Sequence, residues 1–261
     1  MFLIWRSGAG EFRYGHGERI LRAMSNAQRD QNPEFVHQTF SSIASRYVMT
    51  NHFLCAGIDV IWRKKVASIV EAVSPKFVLD VATGSGDLAR AVQKRLPQAK
   101  VIGSDFCEPM LAEAKKRGLE DLVVADGLAL PFSDNSFDAV TIGYGLRNMA
   151  DWSAALQEFA RVLRPGGKLV ILDFSLPRNR ALLFLYRFYL HKILPRIAGW
   201  LTGNKEAYAY LGDSIERFPS GTEMRNLIDK NGFSESSWFP QLCGISSVYA
   251  ASADSPHESD K

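Results

Sequence analysis

The stretch "VLDVATGSGDLA", residues 78–89, decides the fold. An apolar run carrying Asp80 leads into Gly84, Ser85 and Gly86, after which Leu88 and Ala89 open a helical pattern. A strand that enters a glycine turn and then a helix presents backbone N–H groups to a polar ligand at close range. The G-x-G-x-x-A spacing of Gly84, Gly86 and Ala89 fits a dinucleotide turn and an S-adenosylmethionine (SAM) loop equally well. Hydride transfer and methyl transfer are both open at this point.

Downstream, "KVIGSD" (100–105), "DLVVAD" (121–126), "FDAVTIG" (137–143) and "GKLVILDF" (167–174) read as strands, and "ARAVQKRL", "EPMLAEAKKRG" and "SAALQEFARVL" read as the helices between them. Short apolar strands separated by amphipathic helices predict a parallel sheet covered on both faces, an α/β doubly wound, Rossmann-like fold. In "RVLRPGGKLVILDF" (161–174), Pro165 is expected to stop the helix and Gly166 and Gly167 to make the turn. Upstream, helical spacing over 34–47 and 57–73 predicts a helical lid spanning 34–73. At the far end, "GTEMRNLIDKNGF" predicts a helix closed at Gly232, and "SESSWFPQLCGISSVYAAS" predicts an antiparallel strand pair joined near Cys243 and Gly244. One domain over 34–251 is expected, with a poorly ordered N-terminal extension (1–33), a substrate-side insertion (181–220) and a polar tail (252–261).

Composition narrows the function classes. With 261 residues, 46% hydrophobic and 23% charged, the chain can build one large core. A net charge of +3 without a concentrated Lys/Arg stripe argues against nucleic acid as a partner. Cys55, Cys107 and Cys243 are widely spaced, and the five histidines show no ligand spacing, so neither disulfide nor metal is expected. The apolar start, "MFLIW", is too short for a signal peptide or membrane span, and a cytoplasmic location is the expectation.

Asp105 ends the second strand, where a carboxylate binds ribose hydroxyls of either cofactor. The third strand separates the two. "VVADGLALPFSDNSFDAVTI" places Asp126 and Gly127 at its end and resembles the class I SAM-dependent methyltransferases, in which an acidic residue there meets adenine. "IGYGLRNMAD" (142–151) is more specific: Gly145, Leu146, Arg147 and Asn148 resemble the GLRN signature of the UbiE/MenG-type quinone-biosynthesis C-methyltransferases. "RYVMTNHFLCAGIDVIWRKK" and "YLGDSIERFP" resemble further segments of that family, so the likeness runs from about Phe40 to Ala250. Two positions depart from it: Val48 stands where Asp is usual, and Gly143 where some members have Ser.

The resemblance implies SAM as cofactor, held by Asp80, Gly84, Ser85, Gly86, Asp105, Asp126, Gly127 and Gly143. It implies methyl transfer to a ring carbon of a polyprenylated quinol, a naphthoquinol in first place, with a benzoquinol or another small molecule as the alternative. Carbon is a weak nucleophile, so the site needs a group that polarises the neighbouring phenol. Arg147 is expected to face that phenolate, Asn148 to orient the ring oxygen and Tyr47 to join them as a catalytic residue closing over the ring, with Asn51, His52 and Tyr144 binding the substrate. The apolar, basic segment Ala181–Leu201 suits transient contact with a membrane surface, where prenylated quinols reside, or else a pair of core helices. A nicotinamide oxidoreductase and a non-catalytic SAM-binding partner are the competing classes, and homo-oligomerisation is left open.

Overall fold

The computed structural model describes residues 57–202 and 205–255. After helix α1 (Asp59–Glu71) the chain alternates: β1 (Phe77–Val81), α2 (Asp87–Arg95), β2 (Lys100–Asp105), α3 (Glu108–Lys116), β3 (Leu122–Val124), β4 (Phe137–Gly143), α4 (Trp152–Val162) and β5 (Leu163–Phe174). Three helices follow, α5 (Arg180–Phe188), α6 (Leu194–Thr202) and α7 (Lys205–Arg217). Then come α8 (Thr222–Asp229), β6 (Phe233–Gln241) and β7 (Ser246–Ala253). The strands form one sheet in the order β3-β2-β1-β4-β5-β7-β6. β1 lies parallel to both β2 and β4, while β7 runs antiparallel between β5 and β6.

Alternation along the central strands divides the core into two layers. Leu79, Val81, Val140, Ile142, Leu169 and Ile171 face α4 and α8, meeting Leu156, Phe159, Met224 and Ile228. Val78, Ala139, Val170 and Leu172 face the other way, onto Trp62, Val66 and Val70 of α1 and Leu88 and Val92 of α2. Both faces of these strands are covered, which is why they read as nearly unbroken apolar runs. Each such aliphatic side chain contributes about 1.5–3 kcal/mol by leaving water.

Of the expected lid, the second half, α1, buries Trp62 and Val66 in this core; the first half lies outside the described residues. Two expectations are corrected. The third strand ends at Val124, and Asp126 instead bridges to Ala129 across a tight turn. α4 already ends at Val162, before Pro165, and β5 starts at Leu163; the pairing jumps from Phe137↔Leu163 to Ala139↔Lys168, so Arg164–Gly167 bulge out of a continuing strand. Gly166 takes φ +74° in this bulge, a left-handed conformation that favours glycine.

The link from β3 to β4 is pinned to α4 by two side chains, Arg161 and Glu158, the latter accepting from Leu130 N at 2.6 Å. Arg161 donates to the carbonyls of Leu130 (3.1 Å) and Phe132 (2.8 Å) and pairs with Glu158 and Asp134. Within residues 181–220, a π-helical turn at Tyr189–Ile193 joins α5 to α6. Pro195 explains it, because a residue without an N–H cannot continue the regular ladder. Tyr186, Leu190, Leu194 and Ile215 make a small separate cluster there, against Phe174, Leu211 and Ile245. No helix among the described residues is long and apolar enough to cross a membrane.

Candidate active site

An open cleft lies over the carboxyl ends of β1, β2 and β4, where the connections from β1 and β4 leave in opposite directions. Ligands bind doubly wound sheets at such a switch point. The glycine turn forms one wall. Gly84 (φ +56°) and Gly86 (φ +77°) are both left-handed, and Gly86 N donates to Thr83 O at 2.9 Å to close the turn. Gly86 does not line the cleft. A side chain there would lie 3.2 Å from Ala114 Cβ and Leu119 Cδ2, so this glycine serves the close packing of turn against α3.

Two non-glycine residues also sit in the left-handed region at the cleft, Ala82 (φ +50°) after β1 and Tyr144 (φ +59°) after β4. They are neighbours: a Cβ on Gly145 would approach Ala82 Cβ to 2.5 Å. Such backbone strain costs about 1–3 kcal/mol per residue and concentrates where function requires it.

Carboxylates organise the floor. Asp80 is buried and accepts hydrogen bonds from Thr83 Oγ1 (2.7 Å) and Thr141 Oγ1 (2.6 Å). Burial nevertheless pushes its pKa up to about 6 against the pull of those hydroxyls. Asp105 accepts from Gly84 N (2.8 Å) and Cys107 N (2.9 Å), so the residue expected at the ribose also ties the glycine turn to the end of β2. Ser85 Oγ donates to Asp87 (2.7 Å), which forms a two-pronged pair with Arg117. Burial raises the Asp87 pKa, but Arg117 and Arg63 outweigh it and hold the group below the ordinary carboxylate range.

On the opposite wall Asp126 is exposed in the cleft and accepts from Leu128 N (2.9 Å). Gly127 lets Met149 close in, since a Cβ there would meet Met149 Cε at 2.5 Å; at Gly143 it would meet Leu88 Cδ2 at 3.0 Å. Of the residues expected to hold cofactor, all but Gly86 line this cleft. Tyr144 and Asn148 line it as well.

Arg147 does not line the cleft. Its side chain is 3% exposed; Nη1 donates to Asp173 Oδ1 (2.7 Å) and to Tyr144 O (2.6 Å), and the guanidinium lies over the Phe174 ring. Burial pushes the Asp173 carboxyl up, and the Arg147 charge works against that. Arg147 therefore holds the 3₁₀ turn Leu146–Asn148 to the end of β5. Tyr47, Asn51 and His52 lie outside the described residues.

Several residues of the site were not singled out by sequence. Thr83 and Thr141 hold Asp80, Asp173 holds Arg147, and Tyr210 Oη donates to Asn148 Oδ1 at 3.0 Å. One of these left a signal: an Asp ending the apolar run "LVILD" asks for a buried partner. Tyr210 opens "YLGDSIERFP", but the contact it makes was not legible from that motif.

Residues 25–252 match the model of the ubiE/COQ5 methyltransferase family. A demethylmenaquinone methyltransferase from Thermus thermophilus is 46% identical over 200 residues, covering 75% of this chain and 91% of the relative. One from Corynebacterium glutamicum is 40% identical over 228 residues, covering 87% and 98%. Among solved structures, a SAM-dependent methyltransferase from Thermotoga maritima shares the fold at 20% identity and a TM-score of 0.58, covering 83% of this chain and 99% of that one. Human N-acetylserotonin methyltransferase in complex with SAM does so at 16% identity and a TM-score of 0.53, covering 93% and 60%. The oxidoreductase alternative is set aside, and the chain belongs to the ubiE/COQ5 methyltransferase family.

Proposed function

We propose that this chain transfers a methyl group from SAM to a ring carbon of a polyprenylated demethylquinol, demethylmenaquinol in first place. The observation that carries the reading is the meeting of two elements in one cleft: Asp105 and Asp126 line its cofactor side, and the Tyr144–Asn148 turn borders the same space. The relatives named demethylmenaquinone methyltransferase support the naphthoquinol.

The donor set fits SAM. The glycine turn brings backbone close, Asp105 suits ribose hydroxyls, Asp126 suits an adenine amine, and the buried carboxyl of Asp80 suits a cationic ligand. When bound, SAM would supply an electrophilic methyl group on a positively charged sulfur, which would become a neutral thioether on giving that methyl to the ring carbon, whose proton would pass to water.

Asn148 is the group of this chain best placed for the ring oxygen. Its amide donates to Tyr144 O (3.3 Å) and accepts from Tyr210 (3.0 Å), which fixes its orientation and leaves one amide hydrogen for the substrate. Arg147 and Asp173 act behind it as positioning residues, and Tyr144, packed on Phe174, walls the ring. A cytoplasmic enzyme working at the membrane face suits this substrate.

The test is transfer of radiolabelled methyl from SAM to demethylmenaquinol and, in parallel, to a prenylated demethyl benzoquinol. Label in menaquinol is expected. Label in the benzoquinol alone moves the substrate to the ubiquinone type, and label in neither quinol, by protein that binds SAM, overturns the proposal.

A further inference from the structure

The insertion that carries Tyr210 has an outer face that the cleft does not use. On α5, Phe184 is 72% exposed, Leu185 61% and Phe188 53%, and Ile193 and Ile197 continue the apolar surface into α6. Phe184 and Phe188 are one helical turn apart and project together. Two large aromatics and a leucine in water on one short helix form an apolar patch of the kind that marks an interaction site. The opposite face of the same helix is engaged: Tyr186 is buried in the small cluster with Leu190 and Ile215.

Charge says what covers the patch. Between Asp173 and Glu206 the chain contains no acidic residue, whereas Arg178, Arg180, Arg187, Lys192 and Arg196 all fall within it. Arg187 pairs with Glu216 of α7 and Arg178 lies over Trp238, so these two are committed within the fold. Arg180, Lys192 and Arg196 remain exposed beside the apolar residues, without a carboxylate on their own segment. An apolar helix face fringed by cations, with the nearby carboxylates Glu216 and Asp213 of α7 turned to Arg187 and His191, matches the interface of an anionic bilayer, with aromatics in the headgroup layer and cations at the phosphates. A second copy of this chain would bring the same uncompensated positive charge to the same patch, which disfavours self-association through it.

We propose that the Phe184–Leu185–Phe188 face of α5, with Arg180, Lys192 and Arg196, docks this protein on an anionic lipid surface. The helix lies flat there, as α5 is far too short to span. Its inner face packs on Phe174, which touches both Tyr144 and Arg147, so the docked surface is one helix away from the acceptor side of the cleft. The docking serves the prenylated-quinol reading, since such a substrate is delivered from the bilayer; lipid binding is read without turnover, so the two fail separately.

The experiment is co-sedimentation of the full chain with phosphatidylcholine vesicles, with and without phosphatidylglycerol. Binding to the phosphatidylglycerol vesicles that weakens with added salt is expected. Lys192→Glu with Arg196→Glu should weaken it at least fivefold per residue, the scale of one basic contact with such a surface. Phe184→Ser and Phe188→Ser should each weaken it roughly tenfold or more. Both pairs are exposed, so unchanged melting temperatures are expected and SAM binding should persist. Absence of binding to either vesicle, binding indifferent to all four substitutions, or a concentration-dependent dimer broken by Phe184→Ser in place of lipid binding would each overturn the proposal.

Discussion

Asp80 is a carboxyl group that the fold holds at a cost. Unfolded, it titrates near 3.8; in the fold, burial carries it to about 6. Between those values the folded state binds the extra proton, so the favourable contribution is complete below the unfolded value and is lost as pH rises through the folded one. The loss is on the order of 3 kcal/mol. Asp80→Asn should therefore be more stable than the parent at pH 7, the two should converge below pH 4, and SAM affinity should fall because a negative charge at the cleft is gone. Denaturant midpoints at both pH values check this; a variant no more stable at pH 7 means that the buried carboxylate is fully compensated. Asp173 poses the opposite case, because its charge has a partner. Removing Arg147 alone strands a carboxylate at 0% side-chain exposure, and about 3–5 kcal/mol of stability should go with it. The Arg147→Met, Asp173→Leu pair should recover most of that stability in urea unfolding without restoring turnover. A single Arg147→Met variant of parental stability would show that the guanidinium is not the carboxylate's main partner.

At the scale of elements, the acceptor side of the cleft is assembled from pieces far apart in sequence. The 3₁₀ turn Leu146–Asn148 hangs from β4, is tied to β5 through Asp173, and is met from α7 by Tyr210. If Tyr210 serves to orient Asn148, Tyr210→Phe should lower kcat about threefold to tenfold, the effect of one lost neutral hydrogen bond. SAM affinity and melting temperature should stay near parental values, a split that a purely structural tyrosine would not give. The sequence made the strands of this assembly legible and the contacts illegible. "KVIGSD" and "FDAVTIG" match β2 and β4 residue for residue, because unbroken apolar runs between turn residues have one reading in a covered parallel sheet. "LRPGG" misled: proline and two glycines are turn chemistry in either setting, and only the pairing of Phe137 with Leu163 shows that the strand resumes around a bulge. Arg147 is a related case. Its position in GLRN is local information, whereas its direction depends on Asp173, 26 residues away.

For the molecule as a whole, the cleft is a joint between three parallel strands, and a ligand there adds contacts to the centre of the sheet. SAM bound only by the folded state must stabilise it, by about 2.7 kcal/mol when present at a hundred times its dissociation constant. For a domain of this size the melting temperature should rise by roughly 5–10 °C. NAD at the same concentration should produce no shift, as expected of a chain that belongs to the ubiE/COQ5 methyltransferase family. Asp105 makes the test specific. In Asp105→Asn the amide must turn its own N–H₂ toward either Gly84 N or Cys107 N, setting donor against donor, so the ligand-free protein should already melt lower. Losing the charged partner of the ribose should also weaken SAM by about 1.5–3 kcal/mol. The SAM-induced shift, measured within the variant at the parental SAM concentration, should then fall to about half or less. A variant whose baseline drops while its SAM-induced shift is undiminished would leave Asp105 as the anchor of the glycine turn and take it out of the ribose site. A parental protein shifted by NAD and indifferent to SAM would overturn the cofactor assignment altogether.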